Sequence, residues 1–217
     1  MFLVGNAVDT NKDGIADDAD WNNNATNTYL SRDPMNEDIF YFTGFFEANQ
    51  FKLLELKEFW QPQWGLSNGS FTSSEILGND PDPFTVPTAG YYSLEVNVSD
   101  LTYSFVSFDE STSSTFTTIG IIGSARTGDD NGWGDPDTDL TQSPFNPHIW
   151  YIEDIELFDG ELKFRHSDDW PGNWGGDTAL SGQATTDGNP PNIPVSQGTY
   201  DVWFNDLDGR YIFVPKN

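Results

Sequence analysis

Short apolar segments recur along the chain, and each is closed by glycine, proline, asparagine or aspartate. Many of them alternate apolar and polar positions, which is typical of strands because successive side chains point to opposite faces of a sheet. Long apolar runs with helical spacing are absent from the sequence. The pattern therefore predicts an all-β fold, with strands at residues 2–4, 39–46, 49–56, 84–86, 90–98, 101–108, 119–123, 149–157, 161–165, 192–195, 202–204 and 211–214.

The same order of segments occurs twice. Residues that recur in both halves are Gly5 and Gly123, Lys52 and Lys163, and Tyr92 and Tyr200. Their separation falls slowly along the chain, as expected for one repeated unit whose loops are slightly longer in the first copy. Each copy has about seven strands in about 105 residues, the size of a β-sandwich domain. The sequence thus predicts two tandem β-sandwich domains, residues 1–112 and 113–217, with a Ser/Thr-rich linker at 109–115 and both tyrosines in the cores.

The chain is strongly acidic. Among its 217 residues, 35 are Asp or Glu and 9 are Lys or Arg, which gives a formal net charge of −26. A field of this sign disfavours nucleic acid, anionic membranes and polyanionic glycans, and it leaves neutral polysaccharide as the easier ligand. The simpler explanation is solubility in a salty extracellular medium, where salt screens the self-repulsion.

The sequence contains no cysteine, which excludes disulfides and thiolate chemistry. Residues 1–5 predict a strand instead of the charged start of a signal peptide. No segment approaches the ~20 apolar residues of a membrane helix. If the protein is exported, we expect its signal and any lipid anchor to lie outside these residues.

Two copies of the pattern W-x-x-x-W-G carry the candidate chemistry. The first contains Trp60 and Trp64, the second contains Trp170 and Trp174, and proline or glycine stiffens the loop between the indoles. An indole stacks well on the apolar face of a pyranose ring, whose hydroxyl rim needs hydrogen-bond partners. The sequence therefore predicts a tryptophan platform for a sugar in each unit. The alternative is that one indole of each pair belongs to the core, since tryptophan is often partly buried.

Polar side chains next to these pairs complete the predicted sites. Basic residues on the preceding strands are expected to donate hydrogen bonds to sugar hydroxyls, although a strand lysine is usually just solvated. Amides between the indoles offer further hydrogen bonds, and one tryptophan follows an acidic turn early in each unit. The predicted glycan-binding residues are Trp21, Lys52, Trp60, Gln63, Trp64, Trp133, Lys163, Arg165, Trp170, Asn173 and Trp174.

Residues 9–20 fit a twelve-residue calcium loop. Oxygen-bearing side chains stand at alternate positions, and Gly14 occupies the sixth position, where the chain must turn around the ion. The sequence therefore predicts a structural Ca²⁺ site that pins this loop, and the alternative is an acidic surface loop in an acidic protein. The acidic segment 127–139 lacks this spacing. The predicted ligands are Asp9, Asn11, Asp13, Ile15 through its carbonyl oxygen, Asp17 and Asp20.

Three segments of the second unit carry a family resemblance: GELKFRHSDDWPGNWGG, NIPVSQGTYDVWF and RYIF, in this order. They resemble the SusE/SusF group of outer-membrane lipoproteins from Bacteroidota, and the likeness extends over both units. The first unit departs from the pattern, because Leu54 stands where the second has Arg165. The resemblance implies immunoglobulin-like carbohydrate-binding modules on the cell surface, which bind polysaccharide and assist a SusCD-like transporter without cutting the glycan. It also implies an N-terminal lipid anchor.

The sequence leaves the ligand and two other functions open. Starch-type α-glucan and laminarin-type β-1,3-glucan both remain candidates, because the angle between the indoles is not encoded in their spacing. A calcium-stabilised structural or adhesion module, with the tryptophans in the core, is the alternative function. Catalysis is not expected, because the two histidines are wrongly spaced for zinc and a small sandwich offers no evident cleft for paired catalytic carboxylates.

Overall fold

The computed structural model describes residues 1–24, 28–186 and 188–216, and it confirms the all-β prediction. Antiparallel sheets dominate, and the helical segments are short. Contacts divide the chain into two compact units, Met1–Thr112 with Pro144–Asn146 and Ser113–Ser143 with Pro147–Asn217. Within the described residues, no helix is long and apolar enough to cross a membrane.

The first unit contains two antiparallel sheets. Its elements are β1 Phe2–Val4, a 3₁₀ turn Asp18–Asp20, β2 Ser31–Arg32, β3 Ile39–Phe46, β4 Gln50–Leu54, β5 Gln63–Ser67, β6 Ser70–Ser73, α1 Ser74–Leu77, β7 Phe84–Thr85, β8 Gly90–Asn97 and β9 Thr102–Ser107. One sheet has the order β1-β4-β5-β6, with β7 also paired to β4, and the other has the order β2-β3-β8-β9. The strands predicted at 2–4 and 39–46 agree with β1 and β3 residue for residue.

Aromatic rings fill the space between these two sheets. Phe46 on β3 contacts Phe51 on β4 with ring centroids 5.0 Å apart, and Phe51 stacks on Phe84 at 4.9 Å. Phe105 on β9 reaches Phe51 at 5.4 Å and stacks on Tyr92 at 4.6 Å. Such pairs contribute about 0.5–1.5 kcal/mol each beyond the burial of their area. The two sheets therefore pack face to face as a sandwich.

The sequence pattern predicts no strand within residues 67–83 and leaves them as a polar loop, and this prediction is wrong. The structure has a hairpin there, in which β5 pairs with β6 and Ser67 lies opposite Ser70. Asn68 and Gly69 form the two-residue turn with φ angles of 49° and 80°. Both angles are positive, as a type I′ turn requires, and Asn-Gly is the dipeptide that favours this turn. That dipeptide is the signal by which the hairpin can be recognised in the sequence.

The second unit also contains two antiparallel sheets. Its elements are β10 Ile119–Ile122, 3₁₀ segments Ser124–Arg126 and Asp130–Trp133, β11 Thr138–Asp139, β12 Thr141–Gln142, β13 Ile149–Leu157, β14 Gly160–His166, a 3₁₀ segment Trp170–Gly172, β15 Asn173–Trp174, β16 Ser181–Gln183, β17 Ile193–Val195, β18 Gly198–Asn205 and β19 Arg210–Pro215. One sheet has the order β11-β10-β14-β15, with β17 also paired to β14. The other has the order β12-β13-β18-β19-β16.

The core of the second unit is centred on Phe164. Its ring on β14 stacks on Phe204 of β18, with centroids 4.4 Å apart and 15° between the planes. It also contacts Tyr211 and Phe213 on β19 at 6.0 and 6.3 Å. All four side chains are buried, and their burial contributes to the hydrophobic stabilisation of the unit. Here too the two sheets face each other across an aromatic layer.

Tyr92 and Tyr200 make the same contact in their respective units. The hydroxyl of Tyr92 donates to the carbonyl oxygen of Thr88, and that of Tyr200 donates to Ser196, each at 2.8 Å. A tyrosine that bonds to the main chain a few residues upstream is the tyrosine corner of immunoglobulin-like sandwiches. Tyr200 is buried and Tyr92 half-buried, so both rings contribute to their cores.

Candidate functional site

Each tryptophan pair is split between the surface and the core. The exposed fraction is 40% for Trp60 and 45% for Trp170, but only 6% for Trp64 and 7% for Trp174. Because the second indole of each pair is almost fully covered, it offers little surface for stacking on a sugar ring. The structure therefore corrects the prediction of two stacking indoles in each W-x-x-x-W-G motif, since in each motif it exposes the first and buries the second.

Strand pairing explains why the second indole is buried. Trp64 lies on β5 opposite Leu53 of β4, and Trp174 lies on β15 opposite Phe164 of β14. Directly opposed residues share one face of a sheet, and both partners are buried core residues. Trp174 also packs against Phe204 of the opposite sheet, with ring centroids 5.3 Å apart. The second position of the motif is therefore a core position.

A glycine follows the second tryptophan in both motifs because another part of the main chain lies against it. A Cβ atom on Gly65 would lie 2.3 Å from the carbonyl oxygen of Asp82, and one on Gly175 would lie 2.0 Å from that of Pro191. No side chain fits at such distances, and only glycine allows this close approach. The repeated W-G dipeptide thus reflects a packing constraint common to both units.

Lysine and amide side chains pair beneath the motif in both units. Nζ of Lys52 donates to Oε1 of Gln63 at 2.7 Å, and Nζ of Lys163 donates to Oδ1 of Asn173 at 3.2 Å. Burial lowers the pKa of both lysines. Lys163 and Gln63 are buried, which leaves them little access to the sugar hydroxyls that the sequence predicts as their partners. These lysine–amide contacts join β4 to β5 in the first unit and β14 to β15 in the second.

Arg165 is a buried side chain, 1% exposed, and not the surface donor that the sequence predicts. Its Nε lies 2.8 Å from each carboxylate oxygen of Asp137, and its Nη2 bonds to Asp135. Burial alone lowers the pKa of Arg165, but the hydrogen bonds to Asp137 and Asp135 raise it above its usual value. The guanidinium therefore stays charged, as a buried charge with paired carboxylates does. Its Cζ lies 4.9 Å from the centroid of the Trp170 ring, within cation–π range.

A second guanidinium organises the segment between β10 and β11. The acceptors of Arg126 are Oγ1 of Thr138 at 3.0 Å and the carbonyl oxygens of Gly132, Gly134 and Pro136 at 3.0, 3.3 and 2.7 Å. No motif in the sequence points to this residue. A signal exists, because Arg126 is the only lysine or arginine between Lys57 and Lys163 and it stands directly before an acid-rich segment.

Trp133 lies next to Trp170, and we call these two residues the Trp133–Trp170 pair. Their ring centroids are 6.1 Å apart, with 30° between the planes. The main-chain nitrogen of Asp137 donates to Oδ1 of Asp168 at 3.0 Å, which ties the loop of Trp133 to the loop of Trp170. The exposed aromatic surface of the second unit thus comes from two loops, and the neighbour of Trp170 is Trp133 instead of Trp174.

Trp21 takes a different place in the first unit. It is half-buried and packs against a small apolar cluster that includes Leu54. Leu54 on β4 has the same strand position as Arg165 on β14, since each lies opposite the amide residue of its unit, Gln63 or Asn173. Trp21 therefore packs on an apolar cluster whose member Leu54 holds the strand position where the second unit has the buried charge of Arg165.

Two exposed aromatic side chains of the first unit lie in the loop between β4 and β5. Trp60 and Phe59 are consecutive there, and both are exposed. The neighbouring Gln61 donates from Nε2 to Oδ1 of Asp80 at 2.8 Å, which connects this loop to the one after α1. This unit therefore also offers an indole to the solvent.

In residues 9–20, the predicted calcium ligands bond to the main chain of their own loop. Oδ2 of Asp9 accepts from the N–H of Gly14 at 2.8 Å, across the turn that Gly14 makes with a φ of 91°. Oδ1 of Asn11 and Oδ1 of Asp13 each accept from the N–H two residues further on at 2.9 Å. These bonds keep the side-chain oxygens along one tightly turned segment.

Asp20 is the internal anchor of this loop. Its Oδ1 accepts from the main-chain nitrogen and the hydroxyl of Thr10 at 2.7 and 2.9 Å, and its Oδ2 accepts from the N–H of Asp17 at 2.8 Å. This buried carboxylate accepts hydrogen bonds from its own loop, so Asp20 holds the loop together from within. In the part of the chain that the structure describes, no group of three His, Cys, Asp or Glu side chains is arranged to hold a metal ion. The calcium site stays a prediction.

Comparisons with known proteins find likeness among solved structures. No protein-family model matches the chain, and no curated protein matches it. Among solved structures, the chain is similar to the crystal structure of SusF from Bacteroides thetaiotaomicron, with 15% sequence identity and a TM-score of 0.35. The match covers 100% of this chain and 48% of that one, so the chain spans about half the length of SusF.

Proposed function

We propose that the protein is a non-catalytic polysaccharide-binding protein of the cell surface, which holds a neutral glucan on exposed indoles. The observation that carries this proposal is the Trp133–Trp170 pair. Trp170 is 45% exposed, yet its ring lies against the buried guanidinium of Arg165 and beside a second indole. A surface that is already held in its binding geometry loses little conformational entropy when a ligand arrives.

The geometry of the pair limits how a sugar binds. A ring inserted between two indoles needs about 7–8 Å between their centroids, because each contact takes about 3.5–4.0 Å. The centroids of the pair are 6.1 Å apart, so a pyranose lies across exposed Trp170 and half-buried Trp133 and not between them. The 30° between the planes favours a curved chain over an extended one. We therefore propose starch-type α-glucan or laminarin-type β-1,3-glucan as the ligand class.

The first unit supplies a second, weaker site in this proposal. Its exposed indole is Trp60, whereas Trp21 packs on the core instead of forming a surface pair of the kind seen in the second unit. Each site alone binds weakly, since hydroxyl contacts exchange with water at little net gain. Two sites on one chain add avidity wherever one polysaccharide engages both.

The place of action is part of the same proposal. The segments GELKFRHSDDWPGNWGG and NIPVSQGTYDVWF support a SusE/SusF-like surface lipoprotein. In that setting the protein assists a SusCD-like transporter of the outer membrane. The net charge of −26 is compatible with a neutral polysaccharide as the cargo.

Native affinity electrophoresis tests this function. Gels that contain starch, laminarin, β-mannan, xylan or no glycan are run with the wild-type protein in the presence of calcium. We expect retardation in the starch or the laminarin gel. In a Trp60→Ala background, which isolates the second unit, Trp170→Ala should weaken the remaining binding about tenfold or more, a loss of at least about 1.4 kcal/mol.

The matched control is Leu180→Ala, which truncates another side chain of the second unit that is 47% exposed. It should be retarded like its parent protein. Equal retardation of Trp170→Ala and its parent would refute the assignment of this site. Absence of retardation in every gel would favour the structural or adhesion module, and release of reducing ends from a polysaccharide would instead indicate an enzyme.

We also propose that Ca²⁺ binds at residues 9–20 and stabilises the first unit. The expected result is a thermal unfolding midpoint that rises when calcium is added and returns when a chelator removes it. Affinity should be modest, about 10⁻⁴–10⁻³ M, as in extracellular calcium modules. Asp13→Asn should reduce the response, because it removes a charge yet keeps an oxygen for the N–H of Ile15.

The exposed Asp38 offers the control, since Asp38→Asn makes the same chemical change outside this loop. If the unfolding midpoint does not change when calcium is added at millimolar concentration, hydrogen bonds alone hold residues 9–20 in place. The same conclusion would follow if Asp13→Asn and Asp38→Asn responded alike.

A further inference from the structure

We propose that Arg126 and Arg165 are positioning residues that hold the Trp133–Trp170 pair in place. Their guanidinium groups take the role that a bound cation plays in other acidic loops. Neither guanidinium is the group that meets the ligand. The binding consequence of this inference rests on the proposed function, whereas the geometry it concerns is measurable without any glycan. It deepens the proposed function by assigning the second unit a site that needs no metal ion.

The contacts of Arg165 leave no room for a direct role. Its side chain and that of Asp137 are each 1% exposed, and Nη2 of Arg165 lies 2.6 Å from Oδ1 of Asp137. Asp135 bonds to the same nitrogen, and the ring of Trp170 lies over the guanidinium carbon. A sugar hydroxyl would have to break a buried ion pair to reach this group, which is strongly unfavourable.

The contacts of Arg126 resemble those of a cation in a loop. Three of its acceptors are carbonyl oxygens at alternate positions, Gly132, Gly134 and Pro136, so the chain that carries Trp133 curves around the guanidinium. Calcium loops use alternate oxygen-bearing positions in the same way, because the chain must turn around a central positive charge. In this loop the guanidinium of Arg126 supplies the positive charge from within the chain. The acidic segment 127–139 can therefore turn without the ligand spacing of a calcium loop.

The first unit provides an internal comparison. Leu54 occupies the strand position of Arg165, and Trp21 packs on the cluster that includes Leu54. The unit without the arginine therefore holds its early tryptophan against the core. The second unit, which has Arg165 at this position, holds Trp133 beside the exposed indole of Trp170. The comparison therefore associates the buried charge of Arg165 with the Trp133–Trp170 pair.

Circular dichroism measures the pair directly. Two indoles at 6.1 Å couple their far-ultraviolet transitions, and the difference spectrum between the wild-type protein and Trp133→Phe defines the resulting couplet. We expect Arg126→Gln and Arg165→Leu to lose most of this couplet in the absence of glycan. In the Trp60→Ala background, both should bind the retarding glycan about tenfold more weakly. A calcium chelator should leave the couplet and this binding unchanged.

Arg210→Gln is the control, because it removes the same charge from another half-buried arginine of the second unit. It should keep both the couplet and the binding. An intact couplet in Arg126→Gln and Arg165→Leu overturns the inference. Lost binding with an intact couplet in Arg165→Leu also overturns it, because that result would show direct ligand contact.

Three further outcomes are informative. If Arg165→Leu unfolds, the test rests on Arg126→Gln, whose side chain is only half-buried. If the wild-type protein is retarded by no glycan, the proposed function fails, while the couplets of the arginine variants still support or refute the positioning roles. Loss of the couplet on chelation would refute the metal-independent arrangement.

Discussion

Trp174→Ala is expected to lower the free energy of unfolding of the second unit by about 3–5 kcal/mol, the usual cost of removing a buried indole. The side chain is 7% exposed and packs edge-on against Phe116 at 5.2 Å and against Phe204 at 5.3 Å. Its removal leaves a cavity between the two sheets that the surrounding rings cannot fill. Urea unfolding followed by far-ultraviolet circular dichroism measures the effect.

Trp170→Ala is the matched control for this change. The same substitution only four residues earlier removes an exposed indole, and the free energy of unfolding should fall by about 1 kcal/mol or less. The two variants should therefore separate, since one loses stability and the other loses glycan retardation. Similar losses of stability in both would contradict the division between a core indole and a surface indole.

Asp206→Ala is expected to be the second severely destabilising change. Oδ1 of Asp206 lies 2.5 Å from Nδ1 of His148, and Oδ2 accepts from Nε1 of Trp150 at 2.7 Å. The Asp206 side chain is fully buried, and His148 and Trp150 are buried as well. Removal of the carboxylate deprives two buried ring nitrogens of this partner at once, and each loss costs about 1–3 kcal/mol. Urea unfolding should show a lower midpoint for this variant.

Two comparisons make this prediction specific. Glu156→Ala removes an exposed carboxylate from β13, the strand that also carries Trp150, and it should change the free energy of unfolding by less than about 0.5 kcal/mol. Asp206→Asn keeps one acceptor oxygen and should fall between the wild-type protein and the alanine variant. If Asp206→Ala unfolds at the wild-type midpoint, the buried network contributes nothing to stability.

The split of each tryptophan pair bears on the two functional hypotheses that the sequence leaves open. Burial of all the platform indoles would favour a purely structural module, and exposure of all of them would favour flat platforms. The structure buries Trp64 and Trp174 and exposes Trp60 and Trp170. The glycan binding that we propose therefore rests on the exposed indoles, of which Trp170 has Trp133 as its neighbour.

Much of the fold is predictable because strand periodicity is a local property. Apolar runs bounded by polar turn residues place β3 and β13 at the residues where the structure has them. The errors arise where polar residues form strands. Residues 67–83 contain few large apolar side chains, and their strand β6 depends on pairing with β5, which the Asn68-Gly69 turn aligns.

The sequence by itself determined the all-β class, the position of most strands and the recurrence of W-x-x-x-W-G, because these features follow from local periodicity and residue identity. Only the tertiary structure decided which indole of each motif is exposed, because the register between β14 and β15 sets the face on which Trp174 lies. It also decided that Arg165 is buried instead of displayed. Its carboxylate partner Asp137 is 28 residues away in the chain, and only folding brings the two together.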